Sequence, residues 1–320
     1  MAIVNRLLAA SEAHRLTDFV RHLYGDSYPN DLFYSPTDIA NLIDEGRLFC
    51  SVAERDHHTL VGHLATYFEQ SDYATADAIS GMVDPEERGN NIMSTLAGPM
   101  FEMYQQRQIA GLHLYSVTLH TISQRVSADG GAVITGLLTH DWPGQYQVAG
   151  FDKGIGLNRM PMVTMYMPFY RDRLIERSIF SPPVFDSLLQ SVYQQLDYPR
   201  LFGQTPQNPR GSSSYTTIEK SRQGAATLRF TALGVDTLTV VEHFTQQHVS
   251  TAAIYIDLPL TQPGCHTLGC QLLERGWYFG ALLPERCNTD FLRLQLRSAE
   301  PGWDQVPLIP EVEPFLRQMQ

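Results

Sequence analysis

Residues 81–93 read Gly81-Met82-Val83-Asp84-Pro85-Glu86-Glu87-Arg88-Gly89-Asn90-Asn91-Ile92-Met93. An apolar strand, Thr75–Val83, ends here, a proline turn follows, and Arg88-Gly89 open a helix. The first turn of any helix has backbone N–H groups without partners and carries partial positive charge, so it attracts phosphate. A glycine lets the main chain approach the ligand closely, and an arginine adds a charged, directional donor. The stretch therefore predicts a pyrophosphate cradle built from Arg88, Gly89, Asn90, Asn91, Ile92 and Met93.

Working outward, the first half alternates strands and helices. Ile3–Leu8 reads as a strand, and Ser11 is placed to cap a helix reaching Tyr24, with Leu16, Phe19, Val20 and Leu23 at helical spacing. Ser35-Pro36 starts a second helix that stops at Gly46. Strands follow at Leu48–Glu54, Leu60–Phe68 and Thr75–Val83, then a helix over Asn90–Gln108 that Gly98-Pro99 should kink. Strand Leu112–Leu119, helix Thr121–Ala128, strand Val133–Thr139, a loop over Asp141–Asn158 and strand Met160–Phe169 complete this half.

A helix at Val184–Leu196 is positioned to bridge two lobes, and Gln204–Ser214, rich in Pro, Gly, Asn and Ser, reads as a linker. Beyond it come strand Thr216–Thr231, helix Thr237–Gln247, strand Thr251–Leu258, helix Cys265–Arg275 and strands Trp277–Leu283 and Phe291–Arg297. One pattern recurs. Leu114-Tyr115, a helix, then Gly131 and Gly136 with Leu138 match Ile254-Tyr255, a helix, then Gly276 and Gly280 with Leu283. A duplicated half-domain is the preferred reading.

The chain of 320 residues and 36.1 kDa is long enough for two domains, and 43% hydrophobic with 18% charged residues describes a globular protein with ample core. A net charge of −11 argues against broad contact with nucleic acid. Lys153 and Lys220 are the only lysines, so a basic pocket would be built of arginine. No apolar run reaches the ~18 residues of a membrane span, and Met1-Ala-Ile-Val-Asn-Arg lacks the features of a signal peptide, which leads to an expectation of a cytoplasmic protein. Cys50, Cys265, Cys270 and Cys287 lack metal-ligand spacing and read as reduced thiols. Asp56-His57-His58 with His63 reads as a polar turn and not a metal site, so no metal is expected. Gly154-Ile-Gly156 precedes no helix pattern and is not a dinucleotide fingerprint.

The 81–93 segment resembles the coenzyme A-binding motif of GNAT acyltransferases, in which a strand ending Val-x-Pro leads into Gln/Arg-x-x-Gly-x-Gly/Ala. Glu86 falls on the Gln/Arg place, Gly89 on the first glycine and Asn91 on the second, so two marked places depart. Asparagine tolerates left-handed backbone, which keeps the turn feasible. The element order from Ile3 to Thr139 also matches the GNAT fold, and His120 through Ala132 match the spacing of its last motif, Asn-x-x-Ala-x-x-Leu-Tyr-x-x-x-Gly-Phe. The resemblance, closest in kind to bacterial tandem members with a degenerate second lobe, covers about half the chain.

It implies an α/β (α+β) fold with a mixed, mostly antiparallel central sheet, followed by a second GNAT-like half-domain. The implied organisation is an acyl-coenzyme A-binding domain over residues 1–170, a connecting helix and linker over 171–214, and a degenerate lobe over 215–320. The implied activity is transfer of an acetyl or other short acyl group from acetyl-coenzyme A, as co-substrate, to a small amine-type acceptor by direct attack. The alternative is a non-catalytic coenzyme A-thioester-binding or regulatory protein. Backbone N–H groups around Met82 and Val83 would polarise the thioester carbonyl. The tyrosine that commonly protonates the leaving thiolate falls on Ser127, a poor acid; His120 is either a helix-capping or substrate-contact histidine or a candidate proton carrier, and Asp77 is a candidate general base. Tyr24, Tyr28, Phe33 and Tyr34 lie where the family builds its acceptor pocket, though packing is the default for such aromatics. The second half offers no equivalent of Arg88-Gly89, and Asp236 at its helix start would repel phosphate.

Overall fold

The computed structural model describes residues 3–56, 58–144, 158–170, 174–203, 205, 207–296 and 303–319. Strand β1 (Ile3–Leu7) is followed by α1 (Ala13–Tyr24), α2 (Pro36–Asp44) and the antiparallel strands β2 (Leu48–Arg55), β3 (Thr59–Tyr67) and β4 (Thr75–Val83). Helix α3 (Ile92–Arg107) leads to β5 (Gly111–Val117), α4 (Ile122–Asp129), β6 (Val133–Pro143) and β7 (Arg159–Pro168). Their order is the one read from the sequence.

Helix α1 forms because Leu16, Phe19, Val20 and Leu23 share one face, which packs with Ile39 of α2 on Leu48, Cys50, Val52 and Ala65 of the sheet. Ser35 caps α2, its Oγ accepting from Asp38 N at 3.2 Å. Ser11 does not cap α1. It lies in a 3₁₀ turn, and the Glu12 carboxylate instead accepts from Ala9 N at 3.2 Å. Helix α3 covers the opposite face, with Ile92 and Leu96 on Ala53 and Val61, and Met100 and Tyr104 on Phe68 and Leu112. It continues through Pro99 as one element.

In the second half, the short strands β8 (Arg177–Ser178) and β9 (Arg200–Leu201) flank α5 (Asp186–Leu196). Then come β10 (Ser214–Lys220), β11 (Ala225–Ala232), α6 (Thr237–Gln247), β12 (Ala253–Pro259), α7 (Gly264–Leu273), β13 (Trp277–Arg286), β14 (Thr289–Leu296) and the short α8 (Glu313–Leu316). The single strand expected over Thr216–Thr231 is a hairpin, turning at residues 221–224 with Gly224 at φ +66°. Thr-rich alternation ran through the turn and concealed it.

Both halves share one twelve-stranded sheet, ordered β1-β2-β3-β4-β5-β7-β6-β13-β14-β12-β11-β10. The two halves are alike in strand order. In each half a parallel pair (β4–β5, β11–β12) is followed by an antiparallel strand inserted before the last one (β7 before β6, β14 before β13). The copies meet where Gly136 pairs with Ala281, and a Cβ on Gly136 would lie 2.2 Å from the Gly280 carbonyl oxygen. The missing side chain of Gly136 thus permits the two halves to touch. Helix α5 does bridge the halves: Leu189, Val192 and Leu196 share a core with Leu137 and Val163 and with Ile256, Leu282 and Leu294. Among the described residues no helix is long and apolar enough to cross a membrane.

Candidate active site

Strands β4 and β5 pair only from Thr75↔Gly111 to Ala78↔Leu114 and then part. Residues 79–83 of β4 and 115–117 of β5 have no ladder partner across the split. Main-chain polar groups facing it are therefore available to a ligand lying between the strands. Met82 and Val83 close the wide end of β4, with the Met82 side chain packed in the core beneath α1.

At that end the chain turns twice through left-handed backbone, at Gly89 (φ +87°) and Asn91 (φ +58°), before α3 begins. A Cβ on Gly89 would meet nothing within 4 Å, so the space outside the turn is open. The Asn91 side chain makes no capping bond, and the first bond of the helix runs from Thr95 N to the Asn91 carbonyl at 3.2 Å. The N–H groups of Ile92, Met93 and Ser94 consequently point out of the helix end, as a pyrophosphate cradle requires. Of the nearby acids, Glu87 is neutralised by Arg55 at 2.6 Å and takes Asn90 Nδ2 at 3.1 Å, while Glu86 stands in solvent. The open turn and the uncapped helix start fit the diphosphate of coenzyme A.

Arg88 lies close enough to Tyr24 and His120 to act on both. Burial pushes the Tyr24 hydroxyl up to about 12 against the pull of Arg88. Burial, aided by Arg88, lowers the pKa of His120, so the imidazole between β5 and α4 is neutral at pH 7. Ser127 sits half-buried on α4. Its hydroxyl is a poor acid.

Asp77 is not placed to act as a general base. Burial raises its pKa, but the Arg286 guanidinium outweighs this and holds the carboxyl at about 2, with Arg286 Nη1 at 3.1 Å from Oδ2. A carboxylate held so low takes up no proton near neutrality. A different polar pair was missed: His63 Nδ1 lies 3.1 Å from Ser80 Oγ, both buried, at the start of the split. A bulge at Ile79 (Thr66↔Ala78, then Ala65↔Ser80) turns Ser80 to the His63 side, and strict alternation along the strand cannot reveal it. Burial drives the His63 pKa down to about 3.

His57, Lys153 and Gly154-Ile-Gly156 lie outside the described residues, among which no group of three or more His, Cys, Asp or Glu is placed to hold a metal. Tyr28 and Phe33 are core residues, and the Tyr34 hydroxyl donates to Gly25 O at 3.0 Å and accepts from Tyr28 N at 2.8 Å. These aromatics brace the scaffold.

The corresponding place in the second half is filled. Ser213 donates to Asp236 Oδ1 from its N–H at 2.7 Å and from its hydroxyl at 2.8 Å, and Val235 N donates to Gly211 O at 3.0 Å. A Cβ on Gly234 would lie 2.3 Å from Ser213 N. The linker is laid across the start of α6, and Phe180 N, donating to Leu260 O at 2.9 Å, stitches the chain to the end of β12.

No protein-family model matches the chain, and no curated protein matches its sequence. Similar solved structures include a PaiA N-acetyltransferase from Thermoplasma acidophilum in complex with coenzyme A, 16% identical, TM-score 0.37, spanning 53% of this chain and 100% of that one. The ribosomal-protein-S18-alanine N-acetyltransferase of Escherichia coli is 12% identical with a TM-score of 0.41, spanning 54% of this chain and 99% of that one. A ribosomal-protein-S5-alanine acetyltransferase from Vibrio fischeri is 13% identical with a TM-score of 0.40, spanning 52% and 93%.

Proposed function

We propose that this chain is an acyltransferase that moves an acetyl or other short acyl group from coenzyme A to a small amine-type acceptor by direct attack. The observation that carries this reading is the open, left-handed entrance at Gly89 and Asn91, with an uncapped helix start, at the wide end of the β4–β5 split. Ile92, Met93 and Ser94 would hold the diphosphate on their N–H groups, and Arg88 would add a charged donor. Bound there, coenzyme A would supply the thioester, whose acyl carbon forms an N–C bond to the amine as its C–S bond breaks.

Unpaired main-chain groups of residues 79–83 would orient the acyl group in the split. Neutral His120, the titratable side chain at the β5–α4 junction, would accept the proton released by the amine. No side chain on α4 at position 127 is a strong enough acid to meet the leaving sulfur, so its proton would come from solvent. A thiol with a free pKa of about 8.5 needs little assistance to leave.

The serine at 127 and the engagement of Asp77 with Arg286 support a second reading, a coenzyme A-thioester-binding or regulatory protein on the same scaffold. The two separate in one assay: acetyl-coenzyme A is incubated with the protein and a panel of primary amines while free thiol is followed. Acceptor-dependent thiol release supports the enzyme. Tight binding with no turnover on any amine supports the binder.

A further inference from the structure

Strands β4 and β5 are joined by four rungs, Thr75↔Gly111 to Ala78↔Leu114, and parallel pairing is the weaker kind. The bulge at Ile79 bends β4 just past the last of them. The end of this short ladder therefore depends on what packs on its two faces. On one face, Ala78 and Leu114 lie in the cluster of Met100, Met103 and Tyr104 under α3. On the other face the support comes from the second half of the chain.

Strands β13 and β14 are joined by a tight hairpin in which Glu285, Cys287 and Asn288 hold positive φ, at 53°, 50° and 60°. None of these is glycine, so the surroundings must hold the turn. Arg177 donates to the Glu285 carboxylate at 2.7 Å, Arg200 donates to it as well, and the Glu285 N–H donates to Asp290 Oδ1 at 2.8 Å. The turn so fixed touches both strands of the split. Thr75 Oγ1, at the start of β4, donates to the Glu285 carbonyl at 3.1 Å. Arg286, only 6% exposed, donates from Nη1 to Asp77 Oδ2 at 3.1 Å and from Nη2 to Asp77 Oδ1. The same Nη2 lies 3.3 Å from the Tyr115 hydroxyl of β5. Burial pushes the Tyr115 hydroxyl up to about 12, so it is neutral and accepts this bond.

Asp77 pairs with His113 in the rung before the last, and Tyr115 is the first residue of β5 beyond the last rung. Side chains alternate along a strand, so Asp77, His113 and Tyr115 share a face, and the guanidinium straddles the last rung from that side. A planar, permanently charged fork is suited to hold oxygens of two strands at once. A cofactor anchored at the start of α3 and lying along residues 83–79 runs roughly 16 Å, at 3.3 Å per residue, which brings its acyl end to this rung. We propose that Arg286 is a positioning residue for acyl transfer: by tying Asp77 of β4 to Tyr115 of β5 it fixes where the strands part, and with that where the acyl end of the thioester stops. This rests on the acyltransferase reading and gives the second half of the chain a part in it. A fixed apex holds a short acyl group in place, and a loosened one admits longer chains.

The test uses the full chain, a primary amine and acetyl-, propionyl- and butyryl-coenzyme A. Arg286→Lys keeps a positive charge for Asp77 but has no fork to reach Tyr115 as well, whereas Tyr115→Phe leaves the Arg286–Asp77 pair intact and removes only the hydroxyl. A misplacement of about 1 Å can cost a hundredfold, so Arg286→Lys should lower kcat with acetyl-coenzyme A at least about tenfold. Tyr115→Phe should lower it about threefold and add nothing in combination, since both changes break one tie. In each variant the ratio of kcat/KM for butyryl- over acetyl-coenzyme A should rise at least about threefold. The Kd of free coenzyme A, held at the far end of the split, should stay within about twofold. Amide hydrogen exchange at residues 77–78 and 113–115 should be faster in both variants. Unchanged kcat and acyl preference, or losses that strike all three thioesters and free coenzyme A alike, overturn the proposal. A wild type that acylates no amine from any of the thioesters counts against the acyltransferase reading instead, while exchange no faster in the variants counts against the tie itself.

Discussion

Helix α3 leaves β4 beside the parallel strand β5, and α6 leaves β11 beside the parallel strand β12. The settings are topologically the same, and their contents differ. At the first, the backbone bends through Gly89 into open space. At the second, Ser213 sits on the helix start and Asp236 accepts its hydrogen bonds. A carboxylate that would repel a phosphate is thus satisfied by the chain's own linker. The same strand order thus carries an open helix start in one half and a closed structural joint in the other.

The comparison is broken most sharply at Gly89. Gly89→Asp forces a side chain onto left-handed backbone and places negative charge at the cradle, so coenzyme A affinity should fall at least about a hundredfold (~3 kcal/mol). Unchanged affinity in a folded variant, measured by fluorescence titration, would remove the site from this half.

The next effect concerns chemistry. His120→Ala should lower kcat by roughly 10²-fold at pH 7.5 with little change in KM for acetyl-coenzyme A. On the proposed mechanism the neutral imidazole is the working form. The rate should therefore be full above the pKa of His120, which lies below the usual 6.5, and should decline as pH falls through it. A rate that rises on acidification would reverse the role.

In the second half, Gly234→Ala drives a Cβ toward Ser213 N and should cost about 1–3 kcal/mol of stability, seen as a Tm lower by a few degrees. Coenzyme A affinity should not move. A loss of affinity in this variant would show that the second helix start also contributes to the site.

The smallest effect belongs to Ser127. Ser127→Ala should change kcat less than about twofold, because a serine hydroxyl is too weak an acid to be missed. A collapse of the rate would make Ser127 the proton carrier, through a bound water.

Local rules made much of this legible. Apolar residues at helical spacing marked α1, Ser35-Pro36 marked the start of α2, and Gly89 with Asn91 marked a backbone able to turn left-handed. Gly136 and Gly280 hold like places in the two recurring sequence patterns, and the folded chain shows that they face each other where the halves join. What stayed hidden depends on partners far away along the chain. Arg286 neutralises Asp77 from 209 residues downstream, and no spacing predicts that. The bulge at Ile79 is set by pairing with β3, so the side to which Ser80 points could not be read from β4 alone. The linker looked like a spacer because its composition reports flexibility, while its hydrogen bonds to α6 make it a plug.

Isothermal titration calorimetry with coenzyme A asks directly whether one helix start is open and the other closed. The account predicts a single site per chain, abolished by Gly89→Asp and untouched by Gly234→Ala. Two sites per chain, or a single site that survives Gly89→Asp in a folded protein, would contradict it.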